Sequence, residues 1–392
     1  MNTLRRLCEG ILLVSALAVG YSAPYQYHDL RSESQQYFAR AMDVSVIGWS
    51  DRRKREQLNH VLEEEFSTGD FELSKIKFFN QHHDFSLLVL LHELSMDYVP
   101  STASPINNEI RLNQNSDYRT MVHEVKHIKH FAVNKRDSDF MNKWYVVVSD
   151  EEGNTNYLSS AEEFCYRLRD SVPCLDISDK LNEEENQHLG FPTNYARVNA
   201  YEHIAELGTV AELDPNEILR LVALNPKYKE MLKCMEDAEI IAEGYLDFQL
   251  LQQDLQRVKE MLRSHYHYPD YMVDEANRAQ DEFYLDRTQR FIDAHPNSSY
   301  VIGLREQRGE IYYNRAIATR VGSVDRDMEI ALAEREFTSI LSFEYKPKDI
   351  YGVAIFRLKD LAVLEGDPQT ANVFDNWANQ YYDKIWDNLD YL

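Results

Sequence analysis

The sequence His-Glu-Val-Lys-His begins at position 123 and has the residue types and spacing best suited to chemistry. His123 and His127 are four residues apart, so on a helix both imidazoles project from one face and can bind one metal ion. Glu124 then lies beside the position that a metal-bound water would take. Two ligands do not make a stable site, so the motif predicts that a third ligand lies elsewhere in the chain.

The best candidates for that ligand are two glutamates downstream. Glu202 and Glu206 are four residues apart and share a face if their segment is helical. One carboxylate can bind zinc while the other hydrogen-bonds a ligand histidine. The spacing alone leaves open which of the two meets the metal, and it is also common on solvated helix faces.

Segment 191–206 reads Phe-Pro-Thr-Asn-Tyr-Ala-Arg-Val-Asn-Ala-Tyr-Glu-His-Ile-Ala-Glu. It resembles the Y-[AG]-x-x-[NS]-x-x-E-x-x-A-E element that follows H-E-x-x-H in gluzincin metallopeptidases of the anthrax lethal factor type and in related bacterial zinc peptidases. The resemblance covers residues 106–210 and departs from the family pattern at His203 and Ile204, and at the two lysines beside the histidines. It implies these roles: His123, His127 and Glu202 as zinc ligands, Glu124 as general base, Tyr195 as a transition-state donor and Glu206 as support for the site.

The elements that must position these residues are predicted from apolar periodicity. Between residues 40 and 132 the period alternates between that of strands and that of helices. We therefore expect an α+β zincin-like catalytic domain over residues 40–212. The predicted strands cover 44–49, 71–79, 106–112 and 144–148, and the predicted helices cover 51–66, 85–98, a segment opening near Asp117, and 159–168 with a Ser159/Glu162 capping box.

Two of these elements carry functional expectations. Polar and apolar residues alternate over 106–112, which is typical of a half-exposed edge strand, and such an edge can pair with an extended substrate. The helix carrying the histidines has an apolar stripe beside them, from which we expect Lys126 and Lys129 to reach solvent.

Residues 213–392 contain no convincing strand pattern and predict an all-α helical domain that begins at Asp214-Pro215. Its spacing is loosely similar to tetratricopeptide-like helix pairs, although no regular 34-residue period can be laid down. Repeat-like hairpins and ordinary amphipathic helices explain the pattern about equally well. We expect this domain to recruit substrate or to bind a partner protein.

The N-terminal residues indicate the compartment of the protein, and its net charge limits the classes of partner that it can bind. Arg5 and Arg6 precede an apolar run at 11–19, which predicts a signal peptide over 1–20, a lead-in over 21–39 and export to the periplasm or the outside. An uncleaved N-terminal anchor is the alternative; otherwise no stable membrane insertion is expected. With 66 acidic against 42 basic residues, the chain carries 24 net negative charges and is expected to bind no nucleic acid.

Removal of the signal peptide leaves three cysteines, Cys165, Cys174 and Cys234. In an oxidising compartment the first two can close a small loop by a disulfide, whereas the alternative is three buried thiols.

Taken together, the sequence predicts a zinc-dependent metallopeptidase with one Zn²⁺ per chain and a protein or peptide substrate. The alternative is a catalytically inactive zincin-fold scaffold whose C-terminal helices bind a partner protein. The intact Glu124 argues against that alternative, because a binding protein does not need a general base.

Overall fold

The computed structural model describes residues 45–47, 57–58, 61, 75–79, 102–104, 109–113, 116–168, 180, 182–263, 270–343 and 348–389. The predicted signal peptide and lead-in, the predicted helix over 85–98, most of the predicted helix over 51–66, and Cys174 lie outside these residues.

The expected α+β zincin-like class is wrong. About 78% of the residues that the structure describes are helical, and the strands among them are short and few, so the described fold is mostly helical. One cause is segment 144–148, predicted as a strand from its run of aromatic and β-branched residues. It belongs instead to a helix, because Phe140, Trp144 and Val148 recur every four residues and all three are buried on one side. Burial of that face outweighs the β propensity of the individual residues.

Strand residues among those described form one four-stranded sheet. Its members are β1 (Ser45–Ile47), β2 (Lys75–Phe79), β3 (Thr102–Ser104) and β4 (Glu109–Asn113). The order is β1-β2-β4-β3, with β1, β2 and β4 parallel and β3 antiparallel to β4.

The expectation that segment 106–112 offers a free edge is therefore wrong. Ile110 in β4 pairs with Ile76 on one side and with Ala103 on the other, so β4 is an inner strand. The alternation that predicted a half-exposed strand has a different cause, because Ile110 and Leu112 point into a core under the helix that follows.

The helices follow in chain order. The first group comprises α1 (Tyr118–Arg136), α2 (Phe140–Val148), α3 (Ser160–Leu168), α4 (Glu183–Leu189), a 3-10 turn (Tyr195–Arg197) and α5 (Ala200–Leu213). The second group comprises α6 (Pro215–Leu224), α7 (Lys227–Asp237), α8 (Tyr245–Arg263), α9 (Asp270–Ala294), α10 (Tyr300–Ala318), α11 (Val324–Leu341), α12 (Lys348–Glu365) and α13 (Pro368–Leu389).

Three predicted helix starts are confirmed by their caps. Asp117 accepts a hydrogen bond from the Thr120 amide at the start of α1, and Asp214 accepts one from the Glu217 amide at the start of α6. The predicted capping box of α3 is present, since the Ser159 amide donates to the Glu162 carboxylate and the Glu162 amide to the Ser159 hydroxyl.

Helix α1 is buried over its whole middle, from Met121 to His130. Lys126 and Lys129 are each only 2% exposed, so the expectation that they reach solvent is wrong. The reason is that α1 packs against the sheet on one side and against α5 on the other. The Lys126 side chain runs along α5 past Gly208, and a Cβ added at Gly208 would lie only 3.1 Å from Lys126 Cδ. The Nζ of Lys126 lies 2.7 Å from Glu212 Oε2.

The C-terminal helices α9 to α13 pack through their own apolar core, which includes Ile330, Phe337 and Leu358. Phe337 lies against Gly309 of α10, where a Cβ would come within 2.7 Å of the ring. The absence of that Cβ lets α10 and α11 approach closely. None of the helices within the described part of the chain is long and apolar enough to cross a membrane.

The described cysteines favour the disulfide alternative. Cys165 is disulfide-bonded, to a partner outside the described residues, and Cys234 is a free thiol.

Candidate metal centre

The candidate site lies where α1 and α5 pack together. His123 and His127 occupy successive turns of α1, which places both imidazoles on the same face. Glu202 lies in the first turn of α5, whose start is fixed by the Asn199 side chain accepting from the amides of Tyr201 and Glu202. The cap thus fixes the backbone position from which the Glu202 side chain reaches the two histidines.

Three ligand atoms converge in a triangle. The Nε2 atoms of His123 and His127 are 3.0 Å apart, and they lie 3.2 and 3.1 Å from the same oxygen, Glu202 Oε2. Tetrahedral zinc with bonds of about 2.0–2.1 Å separates its ligand atoms by about 3.3 Å. The triangle has nearly that size, so this group of two histidines and one glutamate can hold a metal ion.

Hydrogen bonds alone do not satisfy this triangle. Each Nε2 carries at most one proton and directs it along a single line. If both nitrogens are protonated, both can donate to Glu202, but the two N–H groups then crowd each other at 3.0 Å; if only one is, the other has no proton to donate to Glu202. A cation at the centre satisfies all three atoms at once.

The electrostatics of the site also favour a cation. Burial lowers the pKa of His123, but the neighbouring carboxylates Glu202 and Glu206 outweigh it and raise that pKa to about 10. Although burial opposes the charged form of Glu202, hydrogen bonds from the two histidines hold the pKa of this carboxyl well below its usual range. A cluster that retains two ionised carboxylates in a buried position stabilises positive charge between them.

A second layer of contacts orients His123. Its Nδ1 lies 2.9 Å from Glu206 Oε1, while Glu206 Oε2 accepts hydrogen bonds from Arg119 and from the Thr193 hydroxyl, each at 2.8 Å. A carboxylate on Nδ1 keeps the proton there and leaves Nε2 with its lone pair directed at the triangle. Glu206 is thus placed behind His123 and not in the ligand group, where the structure puts Glu202.

Glu124 is buried on α1 beside His123. Burial, with a smaller contribution from the charge of Glu202, raises its pKa to about 8 even though His123 opposes the shift. Its Oε2 has no hydrogen-bond partner within the described part of the protein. A buried carboxyl oxygen without a partner is rare in a folded protein, and one beside a metal centre suits exchange of a proton with bound water.

Tyr195 lies in the 3-10 turn before α5, with its ring centre 5.7 Å from that of His123. The turn is held firmly at its far end. Arg197 donates to the Asn156 carbonyl, to the Lys180 carbonyl and to the Asn186 side chain, at 2.7 to 3.2 Å. The structure thus brings Tyr195 beside the ligand group from a separate, anchored segment.

His203 follows Glu202 directly and has a different role. Its Nε2 donates to the Gly190 carbonyl, and its Nδ1 accepts from the Tyr157 hydroxyl, both at 3.0 Å. Tyr157 in turn accepts from the Trp144 indole at 3.1 Å. Burial lowers the pKa of His203 to about 3, so the ring is neutral and serves to fasten α5 to α2. The departure from the family pattern at this position is a packing feature.

Two residues of the site were missed by sequence reasoning. Arg119 lies four residues before His123 on the same helix face, and this spacing was a usable signal. Thr193 lies two residues before Tyr195 within the segment that carries the family resemblance, but a threonine in a loop has no distinctive pattern.

No protein-family model, curated protein or solved structure matches this chain. The gluzincin resemblance therefore remains a prediction from two short segments.

Proposed function

We propose that this protein is a zinc-dependent metallopeptidase with one Zn²⁺ per chain. The observation that carries the proposal is the triangle of His123, His127 and Glu202 atoms, 3.0–3.2 Å apart, with the buried carboxyl of Glu124 beside it. Two imidazole nitrogens and one carboxylate oxygen suit zinc better than hard cations, which prefer all-oxygen sites. Three protein ligands leave a coordination position for water or substrate, as in catalytic rather than structural zinc sites.

The chain's own residues would divide the work as follows. Bound zinc supplies a Lewis acid that polarises a carbonyl and makes water acidic near neutral pH. Glu124 accepts the proton of the attacking water and delivers it to the leaving amide nitrogen. Its burial suits this exchange, because burial raises the pKa of the carboxyl and so makes it a stronger base.

Two further residues support the reaction. The Tyr195 hydroxyl would donate to the oxyanion that forms on the substrate carbonyl, a contact worth about 3 kcal/mol in comparable sites. Glu206 keeps His123 in the tautomer that presents Nε2 to the metal, through the 2.9 Å contact at Nδ1.

The proposed substrate is a protein or peptide outside the cytoplasm. The disulfide at Cys165 supports export, because such bonds persist in oxidising compartments. The helices α9 to α13 are proposed to position the substrate or to bind a partner protein.

The first test is the metal content of the purified mature chain, prepared without chelators, for wild type and for Glu202→Ala. We expect close to one zinc per wild-type chain and loss of that zinc in the variant. A wild-type protein without zinc overturns the proposal.

The second test is hydrolysis of a peptide library by the zinc-loaded wild type and by Glu124→Gln. The substitution keeps the three ligands and removes only the base, so we expect full zinc content and a rate lower by a factor of about 100 to 10,000. Equal hydrolysis by both proteins would show that the cleavage does not arise at this site.

A further inference from the structure

The Thr193 hydroxyl connects two parts of the candidate site. Its Oγ1 donates to Glu206 Oε2 at 2.8 Å and accepts from the Ala196 amide at 3.2 Å. A hydroxyl has one proton to give and lone pairs to accept with, so both bonds form at the same time.

Each bond leads to a different functional residue. On one side, Glu206 reaches His123 Nδ1 through its other oxygen at 2.9 Å. On the other side, the Ala196 amide belongs to the 3-10 turn that carries Tyr195. A single side chain therefore joins the residue behind a metal ligand to the backbone that presents the proposed oxyanion donor.

We propose that Thr193 is a positioning residue that fixes the turn carrying Tyr195 relative to the metal ligand His123, acting through Glu206. Its effect on turnover rests on the proposed peptidase function. Its effect on metal affinity rests on the proposed zinc site and on the 2.9 Å contact between Glu206 and His123, whereas its effect on the turn follows from the Ala196 hydrogen bond alone.

Two neighbouring arginines determine what the loss of the Thr193 hydroxyl would change. Arg119 donates to the same Glu206 oxygen, so the charge of Glu206 remains compensated when the Thr193 hydroxyl is removed. Arg197 holds the far end of the turn and Asn186 donates to the Asn194 side chain at 2.7 Å, so loss of the hydroxyl removes one contact at the end next to Tyr195 and leaves the rest of the turn in place. Valine has nearly the shape of threonine but can form neither bond, whereas serine can form both.

The experiment compares wild type, Thr193→Val and Thr193→Ser, with far-UV circular dichroism and melting temperature as folding controls. Zinc affinity is measured by competition with a chelator dye. Removal of such supporting contacts typically weakens metal binding 10- to 100-fold. Because Arg119 remains, we expect about a tenfold loss for Thr193→Val and recovery in Thr193→Ser.

Hydrogen exchange of the Ala196 amide reports on the turn directly. We expect faster exchange in Thr193→Val and wild-type exchange in Thr193→Ser, because only the former loses the acceptor for this N–H. In the peptidase assay we expect kcat to fall with KM little changed. That loss should be absent when Tyr195→Phe is the background, since Thr193 would act on catalysis through Tyr195.

Wild-type zinc affinity and wild-type Ala196 exchange in a folded Thr193→Val protein would overturn the inference. So would a Thr193→Ser protein that behaves like Thr193→Val, because the effect would then come from packing. If the wild type cleaves no peptide, the peptidase proposal fails, while affinity and exchange still decide whether Thr193 links the two parts.

Discussion

The C-terminal helices contain a buried ionic network that invites comparison with the metal centre. Glu336 on α11 is fully buried and takes contacts from Arg305, Arg308 and Arg335 at 2.8 to 3.1 Å. Arg308, only 2% exposed, also donates to the Leu285 carbonyl, to Thr288 and to Gln289. All nitrogens of that guanidinium therefore have partners, and the carboxylate is surrounded by cations.

The candidate metal centre has a different arrangement of charges and hydrogen-bond partners. Here Glu202 and Glu206 contact His123, and Glu124 retains an oxygen without a hydrogen-bond partner within the described chain. In the first network the charge of Glu336 is compensated by arginines, although Arg305 Nε has no hydrogen-bond partner within the described residues. The second brings three ligand atoms within 3.2 Å of one another, an arrangement that a bound cation would satisfy. The difference separates a buried cluster of compensated charges from a cluster that can hold a metal ion.

Substitution of Glu336 should have the largest effect on stability. Glu336→Ala leaves Arg308 buried without its counter-charge, and such a loss costs about 3–5 kcal/mol. We expect a clearly lower midpoint in urea unfolding but unchanged zinc stoichiometry below the transition. Glu310→Ala, which removes a half-exposed pair with Arg357, is the matched control and should cost much less. A loss under about 1 kcal/mol for Glu336→Ala would contradict a structural role for the network.

Zinc should stabilise the protein by the next largest amount. Free zinc at 100 times its dissociation constant raises the free energy of unfolding by about 2.7 kcal/mol. Differential scanning calorimetry of the metal-free protein should therefore show a higher melting temperature on addition of zinc, and a smaller increase in Glu202→Ala. Magnesium is the control, because it prefers oxygen ligands and should give no increase. An equal response to both cations would show that the site does not select zinc over magnesium.

Tyr157→Phe tests the chain of hydrogen bonds from Trp144 to His203. The change leaves the Trp144 indole and His203 Nδ1 unpaired in a buried position, at a cost of about 1–2 kcal/mol. Thermal unfolding measures the loss. Tyr145→Phe alters an exposed tyrosine nearby and should leave the melting temperature unchanged. Equal stability of both variants would remove the structural role assigned to His203.

The smallest effect is expected at the surface. Arg136 and Glu239 form a 3.0 Å ion pair in which both side chains are at least half exposed. Arg136→Ala should lower stability by about 0.5 kcal/mol or less, and added salt should abolish even that difference. Urea unfolding at low and high ionic strength checks this. A loss comparable to that of Glu336→Ala would show that burial is not what separates the two kinds of pair.

Local signals in the sequence predicted the parts of the molecule that depend on neighbouring residues. The caps at Asp117, Ser159 and Asp214 are such cases, because a cap is made within one turn. The pair His123 and His127 is another, since helix geometry alone places the two rings together.

Predictions failed where the outcome depends on what packs against a segment. Segment 144–148 has strand-forming residues, but its contacts with α7 require a helical face. Lys126 is buried because α5 covers it, and no residue pattern within α1 indicates that contact. Similarly, β4 was taken for an edge strand, but it pairs with β3 on one side and with β2, which is not its neighbour in the chain order, on the other. Thr193 and Arg119 belong to the site only through Glu206, far along the chain from Arg119.

The packing of α1 against α5 also determines the order of folding and metal binding. His127 and Glu202 are 75 residues apart in sequence, so the newly made polypeptide offers only an isolated histidine pair. The third ligand arrives when α5 docks on α1, a long-range step that comes late in folding. If the proposed zinc site is correct, tight metal uptake follows folding, and zinc retention measures how many molecules have completed it.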